Sequence, residues 1–228
     1  MSEVIDHRAA ILGSVRKALG AAATKDEIAA EYAAIPRTYS KSGTMERPAL
    51  LAHFEERLLE YDAGVYRAAP GEIAAKVAEI LAARKKPGLA VPEGVPAEWL
   101  PGDFGFALAS HDALELDKTA GVLTGCTVAI AETGSIVLQN AAAQGARILS
   151  LVPDYHLCVV FAEQVVLTVP EAFARLAETS SLPTTFVSGP SATADIEMTR
   201  IKGVHGPRFL DVLIVEESSP NSRFPSGE

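Results

Sequence analysis

The stretch Gly121–Gln139, GVLTGCTVAIAETGSIVLQ, decides how the rest of the chain is read. Val128–Ala131 is a short apolar run, long enough for a buried strand. Glu132-Thr133-Gly134-Ser135 interrupts it with a carboxylate, two hydroxyls and a glycine, and Ile136–Leu138 resumes it. Two apolar runs around a tight polar turn with Gly predict a β-hairpin or a strand–turn–strand. Such a turn displays Glu132, Thr133 and Ser135 at the end of buried strands. In open α/β folds ligands gather at strand ends.

Downstream, NAAAQGAR forms a loop of small residues. Ile148–Val152 and Leu157–Phe161 read as apolar strands flanking Pro153-Asp154-Tyr155-His156. Pro170–Glu178 reads as a helix with an acid at its start. Thr184–Val187 and Phe209–Val215 read as further strands, and the Ser-, Pro- and Gly-rich Ser218–Glu228 as a disordered tail. Upstream, Val4–Leu19 has Ile5, Leu12, Val15 and Leu19 at helical spacing, with Gly20 as its stop. Thr24-Lys25-Asp26-Glu27 fits a capping box for a helix to about Ala34. Arg37–Arg47 has no apolar period and reads as a loop. Pro48–Tyr61 is a third helix, with Leu51, Phe54, Leu58 and Leu59 on one face. Val65–Ala68 and Leu89–Val91 are strands on either side of a helix from Pro70 to about Arg84, and Ala97–Leu100 is a brief helical turn.

Strands interleaved with helices predict an α/β fold with a Rossmann-like mixed, largely parallel sheet flanked by helices. The consecutive strands from Ala129 to Phe161 add an antiparallel excursion. Ala129–Leu138, Ile148–Val152, Leu157–Phe161, Thr184–Val187 and Phe209–Val215 are expected in one sheet. The domain reading is an N-terminal helical extension over 1–62, an α/β domain over 63–217 and a tail over 218–228.

Composition limits the function. The 228 residues are 48% apolar and 21% charged, ordinary for one large globular domain with an extension. A net charge of −9 argues against nonspecific nucleic-acid binding and gives no attraction to an anionic membrane. No apolar run approaches a membrane span, and MSEVIDHRAA lacks the apolar core of a secretory signal, so the expectation is cytoplasmic. The two cysteines, Cys126 and Cys158, are too few for a four-thiolate iron–sulfur cluster and form no CxxC. They read as small buried hydrophobes. No cofactor bound by this chain is expected.

Three segments carry candidate chemistry. Glu132, with Thr133 and Gly134 beside it, places a carboxylate between buried runs. That costs desolvation unless the turn faces a cleft or finds donors. Acceptance of hydrogen bonds from its own turn is the alternative. Ser188–Glu197, SGPSATADIE, follows the strand TTFV and offers Ser191 or Thr193 as N-cap, Gly189 for close backbone approach, and amides suited to phosphate or carboxylate. Asp195 and Glu197 fit either ribose-like hydroxyls or ion pairs with Arg200 and Lys202. An ordinary strand-to-helix turn is the other reading. In Gly203–Arg208, GVHGPR, His205 between glycines suits titration near neutrality, and Arg208 offers a planar fork for an anion. The alternative is a loop whose Arg pairs with Asp195 or Glu197. Arg147 and Gln144 are placed near the cleft of Glu132. Asp154-Tyr155-His156 reads as a structural turn, and His7, His53 and His111 as surface residues.

TGCTVAIAETGSIVL, LVPDYHLCVV, SGPSATADIE and GVHGPR occur in this order between Thr119 and Val215. Together they resemble the lactate-utilisation protein C family and its LUD domain. The family is similar in fold to ribose-phosphate isomerases, glucosamine-phosphate deaminases and coenzyme A transferases. The resemblance implies a part in oxidising L-lactate to pyruvate alongside iron–sulfur oxidoreductase partner proteins, with a small anionic metabolite as ligand. It also implies a role for Glu132, since a glutamate in the similar coenzyme A transferases attacks the thioester carbonyl. Two other functions fit the residues. One is a stand-alone transferase, hydrolase or isomerase acting on a coenzyme A ester or sugar phosphate. The other is a non-catalytic metabolite-binding module.

Overall fold

Asp6 and the Thr24–Glu27 capping box start two helices at the amino end. In the computed structural model, which describes residues 6–20, 23–194, 200–203 and 205–216, these are α1 (His7–Leu19) and α2 (Lys25–Ala34). Asp6 accepts from the Ala9 amide at 3.1 Å. Thr24 accepts from the Glu27 amide while Glu27 accepts from the Thr24 amide, so two otherwise unsatisfied donors are closed reciprocally. No residue of either helix is buried. These helices belong to one compact unit, Met1–Tyr39; the second is Ser40–Glu228. Helix α3 (Arg47–Glu60) lies in the second unit and sends Leu50, Leu51, Phe54 and Leu58 into its core. By packing, α3 is therefore part of the α/β unit, which begins at Ser40.

The second unit is built on a six-stranded sheet. Its strands are β1 (Gly64–Ala68), β2 (Gly88–Val91), β3 (Gly105–Leu108), β4 (Val122–Thr124), β7 (Tyr155–Phe161) and β12 (Phe209–Val215). The spatial order is β1-β12-β7-β4-β2-β3, and every neighbouring pair is parallel. The near-continuous apolar runs of β7 and β12 follow from this position, since a central parallel strand is covered on both faces. Tyr155, Leu157, Val159, Leu213 and Val215 face Ile73, Val77, Ile80 and Leu81 of α4 (Ile73–Ala83). Cys158, Val160, Val212 and Ile214 face the opposite way, towards α3 and a second sheet.

That second sheet corrects the one-sheet expectation. Its strands are β5 (Val128–Ile130), β6 (Ser135–Gln139), β8 (Val165–Val166) and β9 (Thr184–Ser188), in the order β8-β5-β6-β9. β5 and β6 form the expected antiparallel hairpin, and β9 continues it antiparallel to β6. Ala129, Ala131, Ile136 and Leu138 face the large sheet; Val128, Ile130 and Val137 face Ala172 and Leu176 of α6 (Val169–Leu176). The unit is thus layered: helix, parallel sheet, mixed sheet, helix. Burial on both faces made the hairpin and the parallel strands look alike in sequence, so hydrophobicity gave no cue to separate sheets.

Two further elements differ from expectation. Ile148–Val152 is not a strand: Arg147–Ser150 is a short 3-10 turn, and Leu149 packs with Leu116 and Val122. One-sided burial of this apolar run, not sheet pairing, explains its composition. β3 went unread because it is a four-residue edge strand with Leu108 largely in solvent. Between these elements lie α5 (Ala113–Asp117) and a two-stranded antiparallel ribbon of β10 (Ala192–Ala194) and β11 (Arg200–Lys202). The tail over 218–228 lies outside the described residues. Among the described residues no helix is long and apolar enough to cross a membrane.

Candidate functional site

The hairpin turn puts Glu132 on the surface, not in a desolvated niche. Its amide donates to the Leu167 carbonyl at 3.1 Å, and its carboxylate projects into solvent. Gly134 has φ +56°, and a Cβ there would lie 2.9 Å from Arg57 Cβ and 3.0 Å from the Arg57 carbonyl carbon, so the turn packs directly on α3. Thr133 Oγ1 donates to Ser135 Oγ at 2.8 Å, and Ser135 Oγ meets Ser188 Oγ at 2.6 Å. Register explains the last contact, because Ser135 and Ser188 are directly opposed in β6 and β9. The Glu132 turn and the exit of β9 therefore share one end of the mixed sheet, linked by a row of three hydroxyls.

Beyond Ser188 the chain turns at Gly189, whose φ is +78° and whose missing Cβ leaves room for the Tyr61 side chain. Ser191 then does structural work. Its amide donates to the Pro207 carbonyl at 2.8 Å, its carbonyl accepts from Gly203, and its hydroxyl accepts from the His205 amide at 3.0 Å. Ser191 is not the expected N-cap with outward amides, since it leads into β10 and its amide is already bonded. Thr193 sits in β10 opposite Ile201. Asp195 lies outside the described residues. Arg208 pairs at 3.5 Å with Asp154, both largely exposed.

Arg147, Gly189, Ser191 and His205 nevertheless converge. They line a cavity of about 270 Å³ together with Thr185 and Ser188. Arg147 reaches Thr185 Oγ1 at 3.4 Å and is otherwise open to solvent, as is His205. A guanidinium, an imidazole and hydroxyls around a small volume suit a small hydroxylated anion. Glu132 is not in its lining, so Arg147 and Glu132 do not share this cleft. Gln144 also points elsewhere, accepting from the Gln139 amide and from Thr127 Oγ1, each at 2.8 Å. Because Gly206 and Pro207 precede β12 and Ser150 and Leu151 precede β7, this cavity lies at the amino ends of the parallel strands. It is the carboxyl end of β9 that brings Ser188–Ser191 there.

A second cavity, about 600 Å³, lies at the carboxyl ends of β2 and β3. Pro92, Ala109, Ala146 and Leu149 contribute its apolar lining, and Glu93, His111 and Asn140 its polar side chains. Sequence reading placed His111 on the surface and did not single out the other two. The available signal was the small-residue loop after a buried strand, which now forms one wall. That wall is pinned by Gly125 donating to the Ala143 carbonyl and Ala143 donating to the Glu93 carbonyl, each at 2.8 Å.

The remaining polar groups are internal. Asp211 is fully buried in β12, held by Arg84 (Nε to Oδ2 2.8 Å, Nη2 to Oδ1 2.5 Å) and by Tyr155 Oη at 2.8 Å. The bond to Asp211 raises the Arg84 pKa, and burial followed by the Asp211 charge raises that of Tyr155. His156, in β7, meets Thr124 Oγ1 at 2.7 Å, and burial pushes its pKa down to about 4. Cys126 and Cys158 are both buried and reduced; a hydrogen bond to Cys158 and burial push the Cys126 thiol up, which makes it unreactive. Among the described residues no group of three or more His, Cys, Asp or Glu is placed to hold a metal.

A family model described as LUD domain matches residues 114–215. Lactate utilization protein C of Deinococcus radiodurans is 42% identical over 182 residues, covering 78% of this chain and 84% of that protein. The uncharacterized protein YkgG of Escherichia coli is 36% identical over 94 residues, covering 39% of this chain and 40% of its own. A crystal structure of a DUF162 family protein from Deinococcus radiodurans aligns with a TM-score of 0.66 at 38% identity, over 76% of this chain and all of that one.

Proposed function

Since the chain belongs to the lactate utilization protein C family of LUD-domain proteins, we propose that it serves lactate utilisation in the cytoplasm. Its role there is as one component of a system that oxidises L-lactate to pyruvate. In that reaction the substrate loses two protons and two electrons, and the electrons pass to iron–sulfur partner proteins. The relatives' shared name carries the lactate assignment. The division of labour is supported by the cysteine count: two thiols, both buried, leave no four-thiolate set for a cluster in this chain.

The cavity at Arg147 is the place we assign to the anion. L-lactate offers one carboxylate and one adjacent hydroxyl. The Arg147 guanidinium suits the carboxylate, and His205 and Ser188 in the same lining offer hydrogen-bonding groups for the hydroxyl. The test is growth. A strain lacking this chain is expected to lose growth on L-lactate, to regain it with the intact chain, and not to regain it with Arg147→Ala. Unimpaired growth of the deletion strain on L-lactate would refute the assignment, and full rescue by Arg147→Ala would refute the anion site.

A further inference from the structure

The larger cavity plays no part in the reading of the anion site, yet it has the construction of a binding site. Its volume of about 600 Å³ falls within the usual range for organic ligands. Among the described residues, the side chains of Glu93, His111 and Asn140 have no partner within the protein, and all three stand exposed on this one cavity. Beneath them the surface is small and apolar, from Pro92, Ala109, Ala146 and Leu149.

Topology explains why a cavity forms here. The lining comes from the segments that leave β2 and β3 at their carboxyl ends and from the loop after β6, which the Gly125–Ala143 bond holds over the end of β4. The carboxyl ends of strands are where open α/β sheets bind ligands. The far wall is fixed in advance. Ala143 holds a φ of +62°, which a non-glycine residue rarely adopts, and its amide and carbonyl are both bonded, to Glu93 and Gly125.

The lining selects the ligand. It contains one carboxylate and no Lys or Arg, so a phosphate or carboxylate group would be repelled. A carboxylate with no partner asks for donors, and its two oxygens match a vicinal diol. The Asn140 carboxamide both donates and accepts, matching the edge of a heteroaromatic ring. The small apolar surface receives a flat ring. We propose that this cavity binds a nucleoside through its base and ribose, with any phosphate outside in solvent.

The test uses the full chain with adenosine and uridine as probes, followed by saturation-transfer difference NMR and by the ring-proton shifts of His111. At least one nucleoside is expected to receive saturation at its base and H1′ protons and to shift His111. Glu93→Gln and the use of 2′,3′-dideoxyadenosine should each weaken adenosine-class binding about tenfold, the effect of losing a charged hydrogen-bond pair. Ala142→Trp, which fills the cavity, should abolish it. The dideoxy comparison needs no mutation, so a variant that fails to fold leaves the test intact. No transfer to either nucleoside from the folded chain would overturn the proposal. So would affinity that is unchanged by Glu93→Gln and by removal of the diol, or lost in Arg147→Ala.

Discussion

His156 lies in β7 with 1% of its surface exposed, and burial pushes its pKa down to about 4 from an ordinary value near 6.5. Between those values the unfolded chain carries a proton that the folded chain refuses. Stability is therefore full above about pH 6.5 and falls as pH drops towards 4, by about 3 kcal/mol in all. Urea midpoints should drop across that window and drop less in His156→Gln; an equal drop in both would assign the effect to other groups. Few of these internal groups were legible in the sequence. Asp211 reads as one polar residue in FLDVLIV, and nothing local announces partners 127 and 56 residues away, at Arg84 and Tyr155. Glu132 was legible as a turn residue, but its exposure was not, because sequence does not say whether a turn ends under other elements or in water. Of the candidate anion-binding residues, Arg147, Gly189, Ser191 and His205 do meet. They were identified from residue type and loop position, whereas Glu93, His111 and Asn140 meet only through the sheet order.

The hairpin of β5 and β6 is the element most fully written in the sequence, since strand, turn and strand are contiguous. Its turn supplies a sharp test. Gly134→Ala forces a side chain onto a backbone at φ +56° and against Arg57, and should destabilise by about 1–3 kcal/mol. A thermal melt indistinguishable from that of the native chain would show that α3 yields at no cost. Helix α6 was also legible, as a helix from Pro170 with an acid at its start; its Thr168–Glu171 capping box emerges only in the structure. Strand membership was not legible. β9 alternates exposed and half-buried residues, as an edge strand does, yet only pairing with β6 assigns it to the mixed sheet. Ile148–Val152 shows the converse, an apolar run whose partners are Leu116 and Val122 and not a neighbouring strand.

For the whole molecule, the two units differ in what they contribute to stability. No residue of α1 or α2 is buried, so removing residues 1–39 should leave the melting temperature of the remainder within about 2 °C. A loss of ten degrees or of cooperativity would show that those helices hold the α/β unit together. Within that unit, the fold class was readable from alternating strand and helix signals, while the division into two sheets depended on pairings between distant segments. One such pairing governs how the protein comes into being at the ribosome. β1 has a single neighbour in its sheet, β12, and they meet with Gly64 opposite Asp211. Until Val215 has been synthesised, the slot between β1 and β7 is empty, and α3 and α4 have only part of the surface they cover. The first strand of the sheet waits for the last, so β1 stays an unpaired edge until Val215 has been made, and the large sheet closes only through a contact between segments far apart in sequence.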